Sequence, residues 1–126
     1  MAEQINKKLS DEQKRVLFES ATEPPFSGAF LENKKTGNYT CANCGVELFS
    51  SDAKFESGSG WPSFYDVKNK ESIKLVEDNS HGMQRVEAVC SNCKVHLGHV
   101  FNDGPQHKTG MRFCINSLAL DFKEES

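Results

Sequence analysis

Apolar residues fall into short clusters along this chain, and only the first has helical character. Ser10 and Gln13 have capping-box spacing, and Val16, Leu17 and Phe18 supply apolar residues after them. The pattern predicts a helix from about residue 11 to 20. Thr22-Glu23-Pro24-Pro25 ends it, because proline cannot continue a helix and restricts the residue before it. Beyond Gly28 the clusters read as β. Asn38-Tyr39-Thr40 leads into the first cysteine pair, and 46–49, 73–76, 85–89, 95–101 and 111–122 are strand candidates. Within the last, 117–122 alternates as a half-buried strand does. Ser57-Gly58-Ser59-Gly60 reads as a flexible loop, and Asp78-Asn79-Ser80-His81-Gly82 as a turn. Short strands, glycine-rich turns and one helix predict a mainly antiparallel β fold with a helical N-terminal cap.

At 126 residues the chain has the size of one domain. We read 1–126 as a single domain, with 1–8 and 123–126 as flexible ends. The composition, 37% hydrophobic and 26% charged, is that of a soluble domain with a modest core, which a staple would help to fold. A net charge of -3 argues against nucleic acid or an anionic membrane as partner. No apolar run approaches the roughly 18–20 residues that cross a bilayer. The N-terminus lacks the apolar core of a signal peptide. A cytoplasmic setting is therefore expected, where thiols stay reduced.

Five cysteines in that setting imply metal binding or catalysis before disulfides. Cys41-Ala42-Asn43-Cys44 and Cys90-Ser91-Asn92-Cys93 are two Cys-x-x-Cys knuckles. Together they supply the four thiolates of a tetrahedral structural zinc site. The 45 residues from 45 to 89 separate them, so the site would join distant parts of the sheet. Iron fits the same donor set, and two redox pairs are the other alternative. A thioredoxin-like motif would want a βαβ context, which the pattern lacks. A closed four-thiolate site has no open position, so it should not be the catalytic centre.

Cys114 is left over. It is either a buried structural thiol or a nucleophile. Arg112 and Asn116 flank it at i−2 and i+2, on its own face of a strand. A guanidinium there would favour the thiolate, and Asn116 could orient a substrate or an imidazole. His96 and His99 are candidate proton donors near neutral pH, or else solvated loop histidines. His81 and His107 lie in turns and read as surface residues. Trp61 is either core or a rigid aromatic wall for a small apolar group.

Taken together, EPPFSGAF, YTCANCGVELFSSDAKFESGSGWPSFYD, SHGMQRVEAVCSNCKVHLGHVFNDGP and RFCINSLAL resemble the methionine sulfoxide reductase B family in order and spacing. The matching segments cover nearly everything from Thr22 to Phe122. The resemblance implies two antiparallel sheets, tent-like, with helical segments near the N-terminus. It implies that Cys41, Cys44, Cys90 and Cys93 bind one structural zinc and that Cys114 is the catalytic cysteine. It places His96, His99 and Asn116 in the active site, with Arg112 beside the thiol and Trp61 on the substrate methyl. It implies a monomeric repair enzyme that reduces the R epimer of methionine sulfoxide in oxidised proteins. Thioredoxin or another thiol would be the reductant.

The chemistry this implies is attack of Cys114 on the sulfoxide sulfur, with a histidine protonating the oxygen and a sulfenic acid left on Cys114. The opposite epimer would set its oxygen against Trp61, and a buried unpaired polar group costs about 1–3 kcal/mol. One departure matters. Many family members carry a resolving cysteine in the loop before GWPSF, where this chain has Ser59. Recycling by an external thiol is therefore expected. Two other classes remain: a zinc-ribbon interaction module, which leaves Cys114, Trp61 and the histidines without a role, and a cysteine hydrolase built on Cys114, a histidine and Asn116.

Overall fold

A computed structural model describes residues 9–79 and 85–124. Helix α1 spans Asp11–Glu19, and both halves of its Ser10/Gln13 capping box are formed. It stops before the prolines. Ser20 adopts a left-handed conformation (φ 57°), and its N–H returns to the Arg15 carbonyl, which closes the last turn. Val16 and Leu17 form the buried face, and the Gln13 amide reaches the Leu118 carbonyl.

Among the described residues nine strands follow: β1 (Gly37–Cys41), β2 (Glu47–Ser50), β3 (Lys54–Phe55), β4 (Ser63–Phe64), β5 (Ile73–Asp78), β6 (Arg85–Cys90), β7 (His96–Phe101), β8 (Arg112–Ile115) and β9 (Leu120–Glu124). They build two antiparallel sheets, in the orders β2-β1-β9 and β3-β4-β8-β7-β6-β5. The expected mainly β architecture with two antiparallel sheets and one short helix is what is found.

Three readings change. The 111–122 stretch is not one strand: β8 belongs to the large sheet, Ser117–Ala119 is a 3-10 turn, and β9 crosses to the small sheet. Alternation at 117–119 reflected a buried turn, which mimics a strand in sequence. Lys123 and Glu124 are no flexible end; they pair with Asn38 and Gly37 in β9. The two-residue strands β3 and β4 were too short to show any period. The remaining end residues, 1–8 and 125–126, and Ser80-His81-Gly82 of the expected turn lie outside the described residues.

An aromatic cluster joins the sheets. Tyr39 and Phe49 of the small sheet meet Phe64 and Phe113 of the large one, and Phe122 packs on Tyr39. Phe49 and Phe64 stack with centroids 4.2 Å apart, and Tyr39 meets Phe64 edge-on at 5.1 Å. Such pairs add about 0.5–1.5 kcal/mol each beyond burial. Tyr39 is fully buried, and its hydroxyl accepts from the Asn33 amide.

Candidate active site and metal centre

Each Cys-x-x-Cys knuckle is the turn of a hairpin. Cys41 ends β1 and Cys44 precedes β2; Cys90 ends β6 and Cys93 precedes β7. The two turns are built alike. Cys41 N–H donates to Val46 and Gly45 N–H to Cys41; Cys90 N–H donates to Val95 and Lys94 N–H to Cys90. Gly45 and Lys94 both take positive φ, 85° and 69°.

The four sulfurs lie within 4.8 Å of one another, with Cys41–Cys93 at 3.7 Å and Cys44–Cys90 at 3.6 Å. Tetrahedral zinc–thiolate bonds of about 2.3 Å place sulfurs about 3.8 Å apart. The spacing and donor set therefore fit a structural zinc. Three of the four thiols are buried. Hydrogen bonds with Cys90 and Cys93 push Cys41 up, while those from Cys41 and Cys90 hold Cys93 down. A divalent cation lets all four ionise together. The site joins one sheet to the other rather than two parts of one sheet.

The fifth cysteine stands apart, in a cavity of about 200 Å³ lined by Ser59, Trp61, Arg85, His99, Arg112 and Cys114, with Asn116 at its wall. Sheet register explains the grouping. Directly opposed residues of an antiparallel sheet share a face. Ser63 opposes Cys114, Cys114 opposes His99, and His99 opposes Glu87, so one row crosses four strands.

His96 and His99 are three apart and would face opposite sides of a regular strand. A bulge corrects this. Ala88 pairs with Gly98 but Val89 with His96, so Leu97 is an extra residue on β7. The two rings lie 5.4 Å apart. His96 Nδ1 meets Glu87 Oε2 at 2.6 Å, and His99 Nε2 meets Asp78 Oδ2 at 2.8 Å. Burial holds the His96 pKa below its ordinary value, against the pull of Glu87.

Asn116 was expected to orient a substrate or an imidazole. Its amide is instead bonded to backbone: Nδ2 donates to the Leu97 carbonyl, and Oδ1 accepts from Glu23 N–H. It pins the bulge that presents both histidines. Trp61 donates its indole N–H to the Glu23 carbonyl at 2.9 Å, which fixes the ring at the cavity.

Arg112 does face the thiol, but its fork grips Asp103 (2.8 and 3.2 Å), and it lies over the Phe101 ring at 4.4 Å. Its charge is thus shared. Burial raises the Cys114 pKa, and the opposing pull of Ser59 and Arg112 is smaller. Arg112 pulls toward the thiolate as expected, and burial outweighs it. His107 is exposed, as expected.

Sequence reading missed Glu23, Asp78, Arg85, Glu87 and Ser63. Glu23 is 3% exposed, and its carboxylate accepts the Leu118 N–H. Arg85 reaches the cavity with a buried Nε that no described protein acceptor meets. The only sequence signal was charge placed inside strands, as in Arg85-Val86-Glu87-Ala88.

Comparison with known proteins agrees with this geometry. A family model described as the SelR domain matches residues 9–124. The chain is 60% identical over 117 residues to a peptide methionine sulfoxide reductase MsrB of Methanosarcina mazei, covering 93% of this chain and 83% of that one. It is 58% identical over 123 residues to the protein of the same name from Methanosarcina barkeri, covering 98% and 86%. A third of that name, from Leptospira interrogans, is 53% identical over 123 residues, covering 98% and 93%.

Proposed function

The chain belongs to the SelR family of B-type methionine sulfoxide reductases, and from that premise we propose how its own residues perform the reaction. The enzyme reduces methionine-R-sulfoxide in oxidised proteins. The observation that carries the reading is that Cys114 and His99 are cross-strand neighbours inside one cavity walled by Trp61.

Trp61 receives the terminal methyl group, and Arg85 and His99 face the oxygen. Cys114 sulfur attacks the sulfoxide sulfur. His99 gives its proton to the oxygen as the sulfur–oxygen bond breaks. It is the better donor because it lines the cavity, whereas His96 is buried behind it. Asp78 holds Nε2 of His99, leaving Nδ1 for the substrate. The oxygen leaves as water once doubly protonated; water then adds to Cys114 sulfur and breaks its bond to the substrate sulfur, so methionine departs with the electron pair and Cys114 is left as a sulfenic acid. Asn116 and His96 are positioning residues, and Arg112 shapes the rim.

The other four cysteines sit together in the metal cluster, and the hydroxyl of Ser59 cannot form a disulfide. An external dithiol therefore returns Cys114 to the thiol, releasing water and its own disulfide. Four cysteines at a metal site and one reactive thiol suit a reducing compartment such as the cytoplasm. Every site residue comes from one chain, so a monomer suffices.

The test is methionine formation from each epimer of a peptide methionine sulfoxide, with a small dithiol as reductant. Reduction of the R epimer alone, abolished in Cys114→Ser with the zinc retained, is expected. Turnover surviving in Cys114→Ser would refute the assignment. An internal disulfide after one turnover without reductant would refute the recycling route.

A further inference from the structure

Three serine hydroxyls form a chain beside the reactive sulfur. Ser57 Oγ lies 2.7 Å from Ser59 Oγ and 2.7 Å from Ser63 Oγ. Ser63 Oγ lies 3.1 Å from the Trp61 carbonyl, and Ser59 Oγ lies 3.9 Å from Cys114 Sγ. Ser59 also has longer contacts of 3.5 Å to Ser63 and the Trp61 carbonyl, secondary to its short bond with Ser57. Ser63 is buried on β4, directly opposite Cys114.

Each hydroxyl owns one proton, so the direction of one bond dictates the next. A carbonyl can only accept, so Ser63 donates to Trp61. Ser57 must then donate to Ser63, and Ser59 to Ser57. In that polarity Ser59 has no proton for the sulfur and can only accept from it. The chain suits Cys114 as a thiol, and equally as a sulfenic acid, whose hydroxyl is a donor. For an ionised sulfur the chain must reverse: Ser63 donates to Ser57, Ser57 to Ser59, and Ser59 to Sγ. The Trp61 carbonyl then loses its hydroxyl donor.

We propose that Ser59 is the hydrogen-bond donor to ionised Cys114 and that Ser57, braced by Ser63, competes with the sulfur for the Ser59 proton. The inference rests on Cys114 being the nucleophile. Ser57 is a positioning residue, since it acts on the sulfur only through Ser59. The other charged or titratable groups around Cys114 are Arg112 on β8, His99 on β7, Arg85 on β6 and Glu23 from the N-terminal segment. None of them bonds to Ser57. Burial already disfavours the charged sulfur, so the competition deepens a bias the site has.

The two serines should act with opposite sign. The readout is the pH profile of iodoacetamide alkylation at Cys114 in the zinc-loaded protein, followed by mass spectrometry of the Cys114 peptide. Ser59→Ala removes the donor, and its midpoint should rise. Ser57→Ala frees the Ser59 proton for the sulfur, and its midpoint should fall, by about half a pH unit, or threefold in ionisation. Ser57→Thr keeps the hydroxyl and should restore the native midpoint. The Ser57→Ala/Ser59→Ala double variant should match Ser59→Ala alone. A midpoint that rises in Ser57→Ala, stays where it is, or shifts independently of Ser59 overturns the proposal. Ser57 lies half-buried in a loop, so the variant should fold. Failure of the native protein to reduce the R sulfoxide would count against the functional reading, while the alkylation profiles still decide the relay.

Discussion

Gly98→Ala tests whether the close approach of β7 to β8 sets the catalytic geometry. A Cβ at Gly98 would sit 2.1 Å from the Cys114 carbonyl oxygen and 2.9 Å from Ile115 Cα. Ordinary contact begins at 3.4 Å, so the strands must part locally by about 1.3 Å, and both obstacles are backbone. Overpacking of this kind costs about 1–3 kcal/mol. The Leu97 carbonyl next to it accepts two bonds from Asn116, each at 3.0 Å. Losing these adds about 1 kcal/mol apiece, so the total is about 3–5 kcal/mol. A domain with about 5–15 kcal/mol in hand would still fold. The parting falls between His99 and Cys114, where a misplacement of about 1 Å costs about 100-fold in rate. Urea unfolding of the zinc-loaded protein and kcat on the R-sulfoxide peptide are the two assays. Gly110→Ala is the control: φ there is 74° and nothing stands within 4 Å, so only the backbone conformation costs, at about 1–2 kcal/mol. Gly98→Ala with native stability and kcat would refute the close packing of the two strands as the cause.

Metal removal should unfold the protein. Structural zinc contributes about 10–16 kcal/mol in small peptides, which matches or exceeds the whole stability of a domain; Cys90→Ala should lose the ion by elemental analysis and melt without a cooperative transition. Acid should expose the His96 penalty. Its folded pKa is depressed by burial, so its contribution is present above the unfolded value of about 6.5 and lost as pH falls through the lower folded value. Urea midpoints at successive pH values should therefore fall more steeply in the native protein than in His96→Gln; zinc release in acid is common to both, so the difference in slope isolates the imidazole, and equal slopes would contradict the assignment.

The helix and the metal centre were legible because both are written in local spacing. A capping box needs two residues three apart, and a knuckle needs two cysteines three apart. The long strands were legible for a similar reason. Non-local order was not. Nothing in the chain says that β4 lies beside β8, so the Ser63–Cys114–His99–Glu87 row appears only once register is known. Asp78 and Glu87 were overlooked because a carboxylate in a strand usually marks a solvated face. Asn116 was recognised but given the wrong partners: sequence can place an amide near a thiol without saying what it bonds. The split between β8 and β9 escaped because a 3-10 turn with buried Ser117 and Ala119 shares the alternation of a strand.

The metal is remote from the chemistry in coordination terms yet sits at the root of it mechanically. Cys90 and Cys93 form the turn of the β6–β7 hairpin, and that hairpin carries Arg85 and Glu87 on one arm and His96 and His99 on the other. Fixing the turn fixes the register of both arms, and register decides which side chains face Cys114. The other two ligands belong to the β1–β2 hairpin, so one ion ties the histidine hairpin to the small sheet. At the far side Asn116 complements the ion. It holds the bulge at Leu97 and the Glu23 segment, which in turn holds Trp61. The imidazoles are thus pinned from both sides of β7, by metal before His96 and by an amide between His96 and His99. A closed zinc site needs no open coordination position to matter here, because what it fixes is the position of the strand that carries both histidines.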